Sequence, residues 1–224
     1  MFIIGIMNEG IILNIAVIIG VILVSMTLHE VMHGFVAYLL GDDTAKLQGR
    51  LTLNPIKHID PFLTILLPVM LALIPGAPIF GGAKPVPFNP DRVRYDEWGA
   101  ALVALAGPLT NLFLAFFIFG IAILVGINPV GFNPDSIWRL VFTYGVMVNL
   151  GFFVFNMIPI PPLDGSRVLY ALAPEPVRRA MEYVEQYGLI FVFVLVLFAS
   201  SLIGAFMSEI IRFFLDLFSK IFIL

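Results

Sequence analysis

Residues 10–40 decide the fold, and their sequence is GIILNIAVIIGVILVSMTLHEVMHGFVAYLL. A helix of about 30 residues is near 45 Å long at 1.5 Å per residue, which is longer than a bilayer core of about 30 Å requires. The stretch contains no lysine or arginine. Its hydropathy predicts one membrane-spanning helix, which ends at Gly41, Asp42 and Asp43.

The composition of the whole chain agrees with a membrane location. Of the 224 residues, 60 % are hydrophobic and 12 % are charged, about half the roughly 25 % of a soluble domain. Together with a mean hydropathy of +1.04, this excludes a water-soluble globule. The absence of cysteine excludes disulfides and thiolate metal sites. The net charge of −3, with no basic patch, argues against nucleic-acid partners.

The sequence predicts an all-α polytopic membrane protein with four to five transmembrane helices, a re-entrant hairpin and short membrane-associated strand and loop elements. We expect a single domain, 1–224, with a metal helix 10–40, a strand and re-entrant region 47–90, and spans 98–125, 137–157 and 187–208. Within the second region, alternation predicts a strand at 48–54, the short apolar stretch 62–74 predicts the re-entrant segment, and Gly and Pro predict a loop at 75–90.

The lysines and arginines cluster in 41–60, 76–97 and 164–186. By the positive-inside rule these clusters face the cytoplasm and the amino terminus lies outside. This topology is consistent only if 62–74 enters and leaves the membrane on the same side.

Two of the three histidines lie four residues apart, in the motif His29-Glu30-Val31-Met32-His33. Residues four apart share one helix face, so both imidazoles can bind one metal ion, and Glu30 lies where it can take a proton from the attacking water. The alternative is a pair of interhelical hydrogen-bonding histidines with Glu30 as their counter-ion. The acid between two histidines, with no cation nearby, favours the metal site.

A catalytic zinc site usually has three protein ligands, so a third ligand is expected. His58 is one candidate, but its charged connector favours a surface position or an indirect supporting role. Asp164 directly follows a long apolar helix, where a carboxylate is costly unless a metal, a cation or hydrogen bonds satisfy it. The sequence favours Asp164, and it leaves open a helix cap in which Asp164 pairs with Arg167.

Three motifs in chain order are HEVMH at 29–33, GGAKPVP at 81–87 and NMIPIPPLDG at 156–165. Together they resemble the site-2 protease family of intramembrane zinc metallopeptidases, and the compact subfamily without a PDZ domain looks most similar. The resemblance covers about residues 24–172. It implies one Zn²⁺ per chain, bound by His29, His33 and Asp164, with Glu30 as general base. Residues 49–74 depart from better-known relatives as an insertion.

The resemblance implies further roles. Asn156, eight residues before Asp164, would stabilise the oxyanion, for which a neutral amide donor is suited, and interhelical packing is its alternative role. The segment 81–87 would receive the unwound substrate by strand addition, and a cavity-lining loop is the alternative. The expected substrate-binding residues are Gly81, Gly82, Ala83, Lys84, Pro85 and Val86. The sequence GPLTN at 107–111 is interpreted as helix packing.

We therefore predict a multi-pass zinc metalloendopeptidase of the cell membrane that acts in regulated intramembrane proteolysis. It would hydrolyse peptide bonds within or near transmembrane segments of membrane protein substrates. The alternative is a non-hydrolytic membrane transporter or metal-binding scaffold with the same His/His/Asp site, although the internal duplication typical of transporters is not found. A zinc prenyl-protein peptidase would make Asp164 dispensable. The expected partners are the substrate and the lipid bilayer, and a homo-oligomer is left open.

Overall fold

A computed structural model describes residues 9–66, 82–130 and 136–222. Regular structure within these ranges is entirely helical, and two 3₁₀ turns and one π turn lie between the second and third helices. The helices are α1 Glu9–Leu39, α2 Thr44–Leu47, α3 Asp96–Leu124, α4 Ile137–Asn156, α5 Gly165–Leu172 and α6 Glu175–Phe222. The three turns are Pro55–His58, Pro61–Leu66 and Pro90–Arg92.

Three helices of the described chain are long and apolar enough to cross a membrane. They are Ile12–Leu39 in α1, Asp96–Leu124 and Ile137–Asn156. The predicted spans 10–40, 98–125 and 137–157 coincide with them, which makes the chain a multi-pass membrane protein.

The predicted fourth span, 187–208, lies within α6. This helix has non-helical backbone angles at Gly188 and Ala199, which divide it into three parts. Several side chains of 187–208 are outside the described set, so this span stays a prediction.

The helical core lies between α3, α4 and the last turns of α6. Phe119, Leu150 and Phe218 are buried there, and aromatic side chains of α3 and α6 contact each other edge to face. On its other side α3 packs along α1. Small buried residues from Gly99 to Gly107 allow this close approach, which brings α3 against the histidine face of α1.

The strand predicted at 48–54 is wrong, because the described chain has no strand there. The amides of residues 48–50 donate to carbonyls of α2, and the Thr52 amide donates to the Arg50 carbonyl. The apolar alternation of 47–53 therefore accompanies an irregular turn in which local hydrogen bonds replace pairing with a partner strand.

The predicted re-entrant segment, 62–74, lies only partly in the described chain. Its first residues belong to the π turn Pro61–Leu66, and residues 67–74 are outside the described residues, as are 75–81 of the predicted loop. Residues 82–89 have neither helix nor strand structure, as their prolines predict.

Candidate metal centre

His29 and His33 lie one turn apart on the face of α1 that packs against α3. Both are buried, and their Nε2 atoms are 3.0 Å apart. This is the arrangement that their spacing of four residues predicts. It places two nitrogen donors inside a predominantly apolar span.

Asp164, which is distant in the sequence, lies beside the Nε2 atoms of both histidines. Its Oδ2 lies 3.2 Å from His29 Nε2 and 3.5 Å from His33 Nε2. The backbone folds back tightly here, since a Cβ at Gly165 would lie 2.4 Å from the Met157 carbonyl oxygen. Only glycine fits this approach, which turns the chain after α4 and brings Asp164 to the histidines.

The helix-cap alternative for Asp164 is contradicted by its contacts. Asp164 precedes α5 but makes no capping hydrogen bond with its side chain. Arg167, the expected partner in that alternative, pairs with Glu185 instead. The carboxylate is therefore directed at the histidines.

The far nitrogens of both imidazoles are held by acceptors on α3. His33 Nδ1 lies 2.7 Å from the carbonyl oxygen of Val103, and His29 Nδ1 lies 2.6 Å from Oδ1 of Asn111. Oxygen acceptors at Nδ1 require a proton there, which leaves the Nε2 lone pairs directed at Asp164. Three acceptor atoms thus converge, and a shared proton or a cation is needed between them.

The donor set fits one zinc ion. Nitrogen and oxygen ligands arranged tetrahedrally around Zn²⁺ at their usual bond lengths are about 3.3 Å apart. The three separations among His29, His33 and Asp164 are 3.0, 3.2 and 3.5 Å. We call these three side chains the metal centre. Two histidines and one carboxylate leave the fourth position free, as in catalytic zinc sites.

Gly107 provides space beside the metal centre. A Cβ at this position would lie 2.4 Å from His33 Nε2 and 2.6 Å from His29 Nε2, too close for any side chain. The stretch 107–111, interpreted above as packing, therefore also borders the metal centre directly. Its glycine leaves room at the donor atoms and its Asn111 contacts His29.

Glu30 is half-buried beside this centre. Its Oε2 accepts a hydrogen bond of 2.8 Å from the Val86 amide. The predicted general base thus contacts the predicted substrate segment. This contact joins two motifs that lie far apart in the sequence.

We call residues 82–89 the anchored segment. Alternate residues of this segment hydrogen-bond to the rest of the chain through their main-chain atoms. The Gly82 and Lys84 amides donate to the carbonyls of Leu63 and His58. The carbonyls of Gly82 and Lys84 accept from Thr64 Oγ1 and Arg50 Nη2. Gly81, the first of the predicted substrate-binding residues, lies outside the described chain.

The end of the anchored segment is fixed by Asp42. This buried carboxylate accepts the amide of Asn89 at 2.6 Å and both the amide and hydroxyl of Thr44. Burial raises the pKa of Asp42, but these hydrogen bonds outweigh it and lower the pKa below its ordinary value. Asp42 therefore ties the end of α1 to the anchored segment as an ionised group.

Two further predicted residues, His58 and Asn156, lie outside the metal centre. His58, expected on the surface or in a supporting role, is fully buried and donates from Nε2 to the Thr52 carbonyl at 2.9 Å. Because His58 is fully buried, the surface alternative is wrong. Its main-chain carbonyl accepts a hydrogen bond from the anchored segment, and it is not part of the metal centre. Asn156 donates to the Phe152 carbonyl of its own helix at 3.0 Å.

The side chains behind His29 were not predicted from the sequence. Asn111, Asn149 and Ser25 are almost completely buried and hydrogen-bonded to one another. The signal was available, because each is a polar residue in an apolar span, and such residues mark sites by default. Val103 has no such signal, since it acts through its main-chain carbonyl.

The fold and the site together define a multi-pass membrane protein with a buried zinc-type centre, and the comparisons with known proteins agree. Peptidase family M50 matches residues 125–200. The chain is 44 % identical over 184 residues to the putative zinc metalloprotease YwhC of Bacillus subtilis, covering 81 % of this chain and 79 % of that protein. It is 33 % identical over 199 residues to the putative zinc metalloprotease Rip2 of Mycolicibacterium smegmatis, covering 87 % and 71 %.

A shorter match joins it to the putative zinc metalloprotease MJ0611 of Methanocaldococcus jannaschii, 46 % identical over 67 residues and covering 30 % of this chain and 31 % of that protein. No solved structure matches the chain. The chain belongs to peptidase family M50, the site-2 protease family, as its three motifs indicate.

Proposed function

We propose that this chain is a zinc-dependent endopeptidase of the cell membrane that cleaves peptide bonds within or near transmembrane segments of other membrane proteins. The observation that carries this proposal is the metal centre, with Glu30 in the same helical turn. Family membership supports a membrane zinc protease. Asp164 lies with both histidines, which disfavours the prenyl-protein peptidase alternative.

The depth of the site supports cleavage within the membrane. His29 and His33 both belong to the candidate span Ile12–Leu39. At 1.5 Å per residue, His33 lies about 9 Å along the helix from Leu39. We propose that a substrate carbonyl reaches the metal centre at the level of the bilayer.

In the proposed reaction Zn²⁺, when bound, polarises the scissile carbonyl and lowers the pKa of the attacking water. Glu30 takes a proton from this water as the water oxygen bonds to the carbonyl carbon. Glu30 then gives that proton to the amide nitrogen as the carbon–nitrogen bond breaks. The products are a carboxylic acid and an amine, which become a carboxylate and an ammonium group when the remaining hydroxyl proton moves to the amine, and Glu30 returns to its starting state.

An intact substrate helix hides its carbonyls in its own hydrogen bonds, so the substrate must unwind before cleavage. The anchored segment is non-helical and contacts Glu30 through the Val86 amide, and an unwound peptide can add to it as a strand. We propose residues 81–86 as the substrate edge on this basis.

For Asn156 we propose the oxyanion role predicted from the resemblance. Its amide now donates to Phe152, so the role requires a rotation of the side chain toward the substrate. An Asn156→Asp variant should bind zinc as the wild type does and cleave more slowly. Unchanged cleavage would assign the residue to helix packing.

The test of the proposal is the variant Glu30→Gln, which keeps the size of the side chain and removes the base. The purified protein is assayed in detergent on labelled casein, a generic extended substrate, and on a peptide with one membrane span. We expect cleavage to fall about 10²- to 10⁴-fold while the zinc content is unchanged.

The matched control is Glu175→Gln, since Glu175 is exposed and pairs with Arg179 one turn away. It should cleave as the wild type does. Wild-type turnover in Glu30→Gln would exclude Glu30 as the base. A zinc-loaded wild type that cleaves neither substrate would favour the transporter or scaffold alternative.

A further inference from the structure

A row of polar side chains runs through the membrane core behind His29. Asn111 of α3 is fully buried, Asn149 of α4 is 1 % exposed and Ser25 of α1 is 3 % exposed. Buried polar groups in a span are costly unless they hydrogen-bond to each other or serve a site. These three side chains hydrogen-bond to each other. The row ends at His29, which indicates that it also serves the metal centre.

The row is continuous from α4 to the metal centre. Asn149 Nδ2 donates to the Gly145 carbonyl at 2.7 Å and to Ser25 Oγ at 2.9 Å. Asn111 Nδ2 donates to Asn149 Oδ1 at 2.8 Å. Asn111 Oδ1 is then left facing His29 Nδ1 at 2.6 Å. We call Asn149 and Asn111 the amide relay.

The direction of every bond in the relay follows from its first acceptor. A main-chain carbonyl can only accept, so the Asn149 amide must direct its NH₂ group at Gly145 and its oxygen at Asn111. Asn111 must then direct its NH₂ group at Asn149 and its oxygen at His29. His29 has to donate from Nδ1, and its lone pair lies on Nε2, at the metal centre.

We infer that Asn149, acting through Asn111, is a positioning residue that fixes His29 as the Nδ1–H tautomer, ready to bind zinc through Nε2. His33 is fixed as the same tautomer by a single main-chain carbonyl, that of Val103. His29 has an amide as its partner, which can present either an oxygen or an NH₂ group. The amide relay removes this ambiguity because it begins at a carbonyl that cannot turn.

Loss of Asn149 would leave Asn111 Nδ2 with only its longer hydrogen bond, to the Ser25 carbonyl at 3.5 Å. An Asn111 amide turned by half a rotation presents its NH₂ group to Nδ1, and the imidazole must then carry its proton on Nε2. A proton on Nε2 excludes zinc from that nitrogen. Groups that orient a metal-bound histidine typically contribute about 10- to 100-fold to metal affinity.

The first experiment measures zinc affinity of the purified full chain in detergent, by competition between the protein and a chelator for Zn²⁺. Asn149→Leu should bind zinc about tenfold more weakly than the wild type. The control is Thr143→Val on the same helix, because Thr143 is buried and its hydroxyl has no hydrogen-bond partner in the described chain. It should bind zinc as the wild type does.

A double-variant cycle separates positioning from packing. A carboxylate accepts the Nδ1 proton whichever way it turns, so Asn111→Asp should keep zinc affinity and Asn111→Leu should lose it. In the Asn111→Asp background, Asn149→Leu should no longer weaken zinc binding, since no amide is left to orient. A purely structural role of Asn149 predicts the same loss in both backgrounds.

Equal zinc affinity of Asn149→Leu, Thr143→Val and the wild type would overturn the inference, as would the same loss in both backgrounds. If Asn149→Leu fails to fold, the zinc affinities of Asn111→Leu and Asn111→Asp are compared instead. Equal affinities of these two variants would overturn the inference. The measurement is of zinc binding, so a failure of the proposed protease function would leave its result interpretable.

Discussion

The metal centre and the anchored segment are held in different ways. In the metal centre, side chains contact other side chains or a carbonyl of α3, and His29, His33 and Asp164 converge to 3.5 Å or less. In the anchored segment, main-chain amides and carbonyls make most of the bonds, to residues between 50 and 64 in the connector from α2 to α3.

Because the two regions are held differently, substitutions in them should affect two different properties, zinc binding and peptide docking. Substitutions in the metal centre should change zinc binding, because residue type decides each contact there. Substitutions that hold the anchored segment should leave zinc bound and change how a peptide docks, since their target is the position of a backbone. Val86 is the one described contact between the segment and Glu30, so the two effects should be separable.

Among the substitutions that test this comparison, the largest effect is expected from Gly107→Ala. Its Cβ would lie 2.4 Å from His33 Nε2, and His33 cannot withdraw while Val103 holds its other nitrogen. We expect zinc affinity to fall by about tenfold or more, with a parallel loss of cleavage. Zinc per chain, measured by elemental analysis after dialysis, is the readout.

Gly151→Ala is the matched control, since a Cβ on that residue of α4 has no atom within 4 Å. It should retain its zinc. Full zinc occupancy and activity in Gly107→Ala would show that the α1–α3 packing near the centre is looser than described.

A smaller and different effect is expected from Arg50→Met. Arg50 is 9 % exposed and donates from Nη2 to the Lys84 carbonyl at 2.8 Å. Losing a hydrogen bond from a charged group costs about 1.5 to 3 kcal/mol locally, so the anchored segment should loosen. KM for the peptide should rise several-fold while zinc content stays constant.

For Arg50, the comparison variant is Arg179→Met, whose side chain is 73 % exposed and pairs only with Glu175 in the described contacts. It should leave KM unchanged. A loss of zinc in Arg50→Met would contradict the separation of the two regions.

The smallest effect is expected from Asp42→Asn, and it should depend on pH. The folded pKa of Asp42 lies below the ordinary value of 3.8, so its contribution to stability is fully present above that value. It is lost as the pH falls through the folded pKa. At pH 7, the variant's asparagine would set an NH₂ group against an amide donor, and we expect thermal unfolding a few degrees lower.

The difference in unfolding temperature between wild type and Asp42→Asn should shrink below about pH 4. Asp43→Asn serves as the control, since Asp43 is about half exposed and pairs with Arg92 on the surface. A difference that stays constant down to about pH 3 would mean that the charge of Asp42 does not support the fold.

Sequence alone predicted the metal centre well, because its signals are local. The spacing of His29 and His33 fixes a shared helix face, and Asp164 is conspicuous as an acid next to an apolar helix. The three spans that coincide with helices also follow from local hydropathy.

What the sequence did not predict depends on contacts between distant residues. The strand at 48–54 was expected from alternation, but α2 and Arg50 provide its amides with nearer acceptors. His58 is buried because its connector folds around it. The charged composition of the connector does not predict this burial. The carbonyls of Val103 and Gly145 carry no residue signal, so only the structure shows that they accept hydrogen bonds from His33 and Asn149.

The central claim is that His29, His33 and Asp164 bind one zinc ion at which Glu30 acts as base. Its most direct test is elemental analysis of zinc per chain in the detergent-purified wild type, beside Asp164→Asn, His29→Ala and Glu30→Gln prepared identically. We expect about one zinc in the wild type and in Glu30→Gln, and a strong loss in the two ligand variants. Zinc retained in Asp164→Asn, or a wild type that cannot be loaded with zinc, would contradict the claim.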